Sequence, residues 1–160
     1  MKKFRKGFTL LELLVVIGVM GILSTTAMIA GQEATNGARA TTIAEGLEKA
    51  ASAMMMYYAD NAGDIAVNGD TVADVIAGAN AYLKTADALV DTAAAGSYSV
   101  SLVGDAPAQT WWIVYTLPTT DVAGVGAILK NKITRMGLKK AAAASPEDYD
   151  GGATVAMQVR

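Results

Sequence analysis

The chain contains no cysteine and no histidine among its 160 residues. Without cysteine it can form no disulfide and offers no thiol nucleophile. Without histidine it lacks the commonest general base and a common metal ligand. Since no other convergent cluster of polar residues is evident in the sequence, we expect a protein that is not an enzyme, with no catalytic residues, no cofactor and no metal site.

Charge is unevenly distributed along the chain. Four of the 13 basic residues, Lys2, Lys3, Arg5 and Lys6, lie within the first seven positions. The remainder carries nine basic against 15 acidic side chains. An acidic remainder argues against a general nucleic-acid binder.

An apolar run of 23 residues follows the basic cluster, from Phe8 to Ala30. As a helix it would be about 34 Å long, which matches a hydrocarbon thickness of roughly 30 Å. The apolar region of a secretory signal peptide is shorter, about 7–15 residues. The run therefore predicts a transmembrane helix whose N-terminus stays in the cytoplasm, because the positive charges precede it.

Glu12 is the one charged residue of this apolar run. A carboxylate without a partner in or near a bilayer raises the free energy of the inserted segment. A simple membrane anchor gives no reason for such a residue. We therefore expect Glu12 to have a function, with a merely tolerated interfacial glutamate as the alternative.

The segment from Lys6 to Leu13, Lys-Gly-Phe-Thr-Leu-Leu-Glu-Leu, resembles the class III signal sequence of type IV pilins and type II secretion pseudopilins. The resemblance implies that a membrane-embedded prepilin peptidase cuts between Gly7 and Phe8 and methylates the new amino group of Phe8. It predicts a cleaved leader over 1–7, a transmembrane and assembly helix over 8–31, and an exported globular domain over 32–160. One departure is the absence of the proline that pilin helices often carry about three turns in.

The resemblance also implies how the subunits assemble. Glu12 lies four residues after Phe8 and therefore on the same helix face. In a pilin-like helical filament, the Glu12 carboxylate of one subunit would neutralise the Phe8 amine of a neighbouring copy and fix the axial register. The partners implied are other copies of the chain, the prepilin peptidase and an inner-membrane assembly platform. The precursor would reside in the inner membrane and the mature subunit in an extracellular filament.

An α+β fold is predicted, with a long N-terminal helix, transmembrane in its first half, packed on a small antiparallel sheet. An apolar stripe continues the helix over Ala34–Tyr58. Runs rich in β-branched and aromatic residues predict strands, and these are Ser97–Val103, Thr110–Leu117 and Thr154–Val159.

Two further helices are predicted between these elements. One follows Thr71, with Asp74 at the capping-box position. The other runs from Asp121 to Gly137. The segment from Ala141 to Gly152 is predicted to be an exposed loop that, without a disulfide, must be held by packing.

Three other sequence features admit a functional and a structural interpretation. The acidic loop Asp60–Asp70 suggests calcium, but it lacks the ligand spacing of a known calcium loop. The run Met54–Tyr58 could bind a ligand, although adaptable core packing is favoured. A basic cluster could bind nucleic acid, form a solvated helix face or meet an acidic surface of another subunit; it consists of Lys130, Lys132, Arg135, Lys139 and Lys140.

The sequence thus predicts a structural subunit of a type IV pilus-like surface filament. A minor pseudopilin of a type II secretion or DNA-uptake machine is the alternative. A membrane-tethered binding module is a more distant one, and whether nucleic acid is a partner stays open.

Overall fold

The computed structural model describes residues 8–61, 71–84, 87–104, 110–131, 133–142 and 146–159. The chain divides into two compact units, Met1–Thr35 and Asn36–Arg160. The first contains the apolar part of a long helix, and the second contains the sheet, the remaining helices and the hydrophobic core.

The long helix, α1, extends from Leu10 to Asp60. It continues through Gly31 and Gly37 without a break. In its apolar part the hydroxyl groups donate to the helix's own carbonyls: Ser24 Oγ to Met20 at 2.8 Å and Thr25 Oγ1 to Gly21 at 3.0 Å. Because these donors are satisfied within the helix, they do not prevent the segment from entering lipid.

The second half of α1 carries the predicted apolar stripe, and the stripe is buried. Ile43, Leu47 and Met54 are each at most 5% exposed. They form one core with the inward side chains of the sheet, such as Ile113 and Val155. The predicted helix-on-sheet core is therefore confirmed.

A close contact between α1 and the sheet depends on a glycine. A Cβ atom at Gly46 would overlap the hydroxyl end of Tyr98. The Tyr98 hydroxyl lies 3.5 Å from the carbonyl oxygen of Ile43, to which it donates. Gly46, which by propensity weakens the helix, thus allows an aromatic side chain to pack directly against the helix backbone.

The sheet has four strands in the order β1-β2-β3-β4. The strands are β1 (Leu89–Val90), β2 (Tyr98–Val103), β3 (Thr110–Thr116) and β4 (Thr154–Gln158). The pairs β2–β3 and β3–β4 are antiparallel, which confirms the three predicted strands.

The sheet is mixed, because β1, a strand that was not predicted, pairs with β2 in parallel at its edge. With two residues, β1 is too short to show an alternating pattern in the sequence. Its position is fixed by Asn80, whose amide oxygen accepts from the Leu89 N–H at 2.7 Å and whose amide nitrogen donates to the Leu89 carbonyl at 3.0 Å.

The helix α2, Val72–Asn80, forms behind the predicted cap. Thr71 Oγ1 accepts from the Asp74 N–H at 3.3 Å, and the Asp74 carboxylate accepts from the Thr71 N–H at 2.9 Å. Hydrogen bonds from the Thr71 hydroxyl and N–H lower the pKa of Asp74 below its usual value. The capping box is therefore complete, with Asp in place of the usual Glu or Gln.

The predicted single helix from Asp121 to Gly137 is wrong in detail. The structure has a π-helical segment, π1 (Val122–Gly126), and two short helices, α3 (Ala127–Lys130) and α4 (Ile133–Met136). Asp121 makes no side-chain cap, and its carboxylate accepts instead from Arg39 at 2.7 Å. The predicted end is confirmed, since Gly137 has a φ of 63°.

The C-terminal segment is held by ion pairs and one buried tyrosine. The ammonium groups of Lys139 and Lys140 lie 2.7 and 3.1 Å from the carboxylates of Asp148 and Asp150. Tyr149 is 1% exposed, which corrects the expectation of an exposed loop at that residue, whereas Asp148 and Asp150 are exposed. Residues 143–145 of the predicted loop lie outside the described residues. Packing replaces a disulfide here, as predicted.

Candidate processing and assembly site

The predicted site begins at the first described residue, Phe8, whose side chain is 82% exposed. Helix α1 begins two residues later. The Thr9 carbonyl accepts from the N–H groups of Glu12 at 3.1 Å and Leu13 at 3.2 Å. Thr9 Oγ1 also accepts from the Glu12 N–H, at 3.3 Å. Thr9 therefore closes the first turn of α1 in the manner of an N-cap residue.

Thr9 is the site residue that sequence reasoning missed. The spacing Thr9-x-x-Glu12 is the signature of a capping box, and it was visible in the sequence. The hydrogen bond from Glu12 to the Thr9 hydroxyl forms one half of that arrangement. The helix thus begins at Leu10, so a new amino terminus at Phe8 would lie next to the first turn.

Glu12 lies in the first turn of α1 and is exposed. The helix N-terminus carries partial positive charge, which favours a carboxylate at this position. Within the described part of the chain, Glu12 has no ion-pair partner. Gly7, on the other side of the predicted cleavage point, lies outside the described residues.

The apolar segment on both sides of Glu12 has no covering surface in the described structure. Leu10 is 87% exposed, and Ile22 and Met28 are each about 70% exposed. By length and composition, α1 can cross a membrane. Such a surface is unfavourable in water, so it calls for lipid or for other apolar helices.

The described residues contain no group of three or more acidic side chains that could hold a metal ion. Most of the predicted Asp60–Asp70 loop lies outside that part of the chain. Asp60 itself, at the end of α1, accepts a hydrogen bond from the hydroxyl of Tyr82.

The predicted basic cluster separates into two groups. Lys139 and Lys140 form ion pairs with Asp148 and Asp150, and the Asp150 carboxylate raises the pKa of Lys140. Lys130 and Arg135 are exposed, and neither has an ion pair among the described residues. Lys132 lies outside them. The structure therefore does not join these five residues into one free basic surface.

The run Met54–Tyr58 is also split into two groups, which differ in burial. Met54 is 1% exposed, and Tyr57 and Tyr58 pack against the core, which confirms the packing interpretation for these three. Met55 and Met56 are each 54% exposed, so the interpretation is wrong for them. On a helix, five consecutive residues cannot all face the same side.

Residues 2–28 match a family model described as the prokaryotic N-terminal methylation motif. The chain carries the class III signal sequence of type IV pilins and pseudopilins. The match includes Phe8, Thr9 and Glu12 and ends within the apolar half of α1. No curated protein matched the chain, and no solved structure matched it. The α+β fold of a long helix on a small sheet is pilin-like as well.

Proposed function

We propose that this protein is the structural subunit of a type IV pilus-like surface filament, assembled through the first half of α1. The observation that carries the proposal is a single charge, Glu12, at the start of an uncovered apolar helix that matches the methylation motif. The motif is the substrate signal of the prepilin peptidase, and the long apolar helix fits a membrane-anchored precursor.

In the proposed mechanism, cleavage after Gly7 frees the amino group of Phe8, which the peptidase then methylates and which carries a positive charge. When the apolar helices leave the bilayer and bundle, that amine enters an apolar filament core. Glu12 of a neighbouring subunit supplies the counter-charge. Because an unpaired charge in such a core is strongly destabilising, the pair permits one axial register and excludes others.

The same motif also serves pseudopilins, so a minor subunit of a secretion or DNA-uptake machine is the second candidate. A DNA-binding role finds less support, because Lys139 and Lys140 are engaged in ion pairs.

The proposed processing is tested by mass spectrometry of the protein from membranes. The mature chain should begin at an N-methylated Phe8. Gly7→Val should block cleavage and leave the longer precursor, because the branched side chain hinders access to the scissile peptide bond. An intact Met1 terminus in the wild type, or cleavage near Ala30, would contradict the proposal.

The proposed assembly is tested with variants of Glu12, counted as surface filaments by electron microscopy. Glu12→Ala should be cleaved normally but lose nearly all filaments, because breaking a buried pair costs about 3–5 kcal/mol. Glu12→Gln should also be defective, since an amide cannot neutralise the amine, whereas Glu12→Asp should be milder.

A matched control is Glu33→Ala, which removes an exposed acid of the same helix outside the motif. It should assemble normally. Membrane levels of each variant are measured by immunoblotting. Normal filaments in Glu12→Ala at normal abundance would show that Glu12 is only a tolerated interfacial charge.

A further inference from the structure

A groove of about 560 Å³ lies in the second unit, between α1 and the connection from α2 to β1. Its apolar part includes Met56, which is 54% exposed, and Tyr82, which is 45% exposed. Large apolar side chains this exposed are few in the described part of this unit. Exposed Met and Tyr side chains are typical of protein–protein interfaces, and here charged side chains line the same groove.

The α1 wall of the groove carries two carboxylates without a counter-ion. Glu45 and Glu48 line it, are three residues apart on one helix face, and have no ion pair within the described residues. The third acidic lining residue differs: the Asp87 carboxylate lies 3.5 Å from the ammonium group of Lys49. Glu45 and Glu48 on α1 are thus available to a cationic partner, while Lys84, on the connection from α2 to β1, is the lining cation without an ion pair among the described residues.

The same chain presents two cations without counter-ions on another surface. Lys130 ends α3 and Arg135 lies in α4, and both are exposed. None of the groove-lining residues comes from π1, α3 or α4. We call these two described residues, Lys130 and Arg135, the basic segment.

We propose that the groove binds the basic segment of a second copy of this chain, with Lys130 and Arg135 facing Glu45 and Glu48. The proposal rests on the proposed filament function and adds the contact between its globular domains. The groove and the basic segment are different surfaces. Each subunit can therefore bind one neighbour through its groove and a second neighbour through its basic segment. Such a head-to-tail contact does not have to close into a ring. Where it does not close, repeating it produces a helical filament.

The charge pairing is tested by reversal in the full chain. Lys130→Glu with Arg135→Glu should reduce surface filaments about tenfold or more, because like charges then face each other across the contact. Glu45→Lys with Glu48→Lys should do the same. The chain with all four changes should recover filaments, since the pairing is restored with opposite polarity.

The control reverses two exposed acids elsewhere, Asp91→Lys with Glu147→Lys, and should leave filaments unchanged. Recovery in the fourfold variant supports the interface. Unchanged filaments in both double variants, at normal membrane levels, would overturn the interface but not the proposed function. Absence of filaments from wild-type cells would overturn both.

Proximity is tested by cross-linking, which is selective because the native chain has no cysteine. Filaments carrying Glu48→Cys and Arg135→Cys in one chain should give a ladder of covalent multimers on mild oxidation. Each single variant, and the control pair Asp91→Cys with Arg135→Cys, should give none. A ladder from the control pair but not from the test pair would overturn the proposal.

Discussion

At the scale of single residues, Tyr149 shows how a chain without cysteine closes its C-terminal segment. The side chain is 1% exposed, and its hydroxyl donates to the Gly152 carbonyl at 2.7 Å. Next to it, a Cβ atom at Gly126 would lie 2.6 Å from the carbonyl oxygen of Gly151. This close backbone approach and the buried phenol together join the C-terminal segment to π1.

Tyr149→Phe should lower the free energy of unfolding by about 1 kcal/mol at neutral pH, the usual contribution of one hydrogen bond. Urea denaturation of the globular domain, followed by tryptophan fluorescence, measures the change. Tyr82→Phe is the control, because its hydroxyl is exposed and should contribute less. Equal losses in the two variants would contradict the anchoring role of Tyr149.

The same phenol makes stability depend on alkaline pH. Burial, with a contribution from Asp150, raises the pKa of Tyr149 from 10.0 to about 12. Between these values the unfolded chain loses the proton and the folded chain keeps it, so stability falls as pH rises. Burial also raises the pKa values of Tyr98 and Tyr115. The decline should therefore be shallower, but not absent, in Tyr149→Phe.

At the scale of elements, α2 is a nine-residue helix that depends on its first turn. The cap satisfies the N–H groups that a helix start leaves without partners. It also fixes where the chain enters α2, whose Asn80 at the other end holds β1. A local sequence signal, Thr71 with Asp74, thus helps to place an edge strand that the sequence did not reveal.

Thr71→Ala should lower the free energy of unfolding by about 1 kcal/mol, and Thr71→Ser should have little effect. The lowered pKa of Asp74 means that its contribution is present at neutral pH and is lost as pH falls through the acid range. The difference between wild type and Thr71→Ala should therefore shrink in acid. Thr92→Ala, at an exposed position away from a helix start, serves as control.

At the scale of the whole molecule, two units of different physical character share one helix. The core residues lie between Ala40 and Val155, all in the second unit. The exposed apolar side chains lie mainly in the first unit. The first unit therefore needs a membrane or other copies, whereas the second has a core of its own.

We predict that a fragment comprising residues 32–160 folds alone as a soluble monomer. It keeps the buried stripe of α1 with the sheet and loses the exposed apolar segment. Oxidant and reductant should leave its melting temperature unchanged, because it contains no cysteine. Size-exclusion chromatography and circular dichroism test this, and persistent aggregation under varied conditions would show that the boundary is wrong.

Local sequence signals determined much of the fold and of the candidate site. The apolar run, the stripe from Ile43 to Met54, the three long strands and the Thr71 cap all depend on periodicity or on neighbours within four residues. The motif around Phe8 and Glu12 is likewise contiguous. Such features can be predicted without knowledge of the fold, because the residues that cause them are close together in the chain.

Tertiary structure alone decided the features that join distant parts of the chain. The parallel strand β1 is held by Asn80, and Asp121 bonds to Arg39 instead of capping a helix. The π-helical turn leaves the apolar spacing of the sequence unchanged, so periodicity could not reveal it. The residues of the basic cluster are close together in sequence. In the structure, however, Lys139 and Lys140 form ion pairs with Asp148 and Asp150 and so differ from the other members. A charge pattern shows which groups are present, and only the fold determines which of them already have partners.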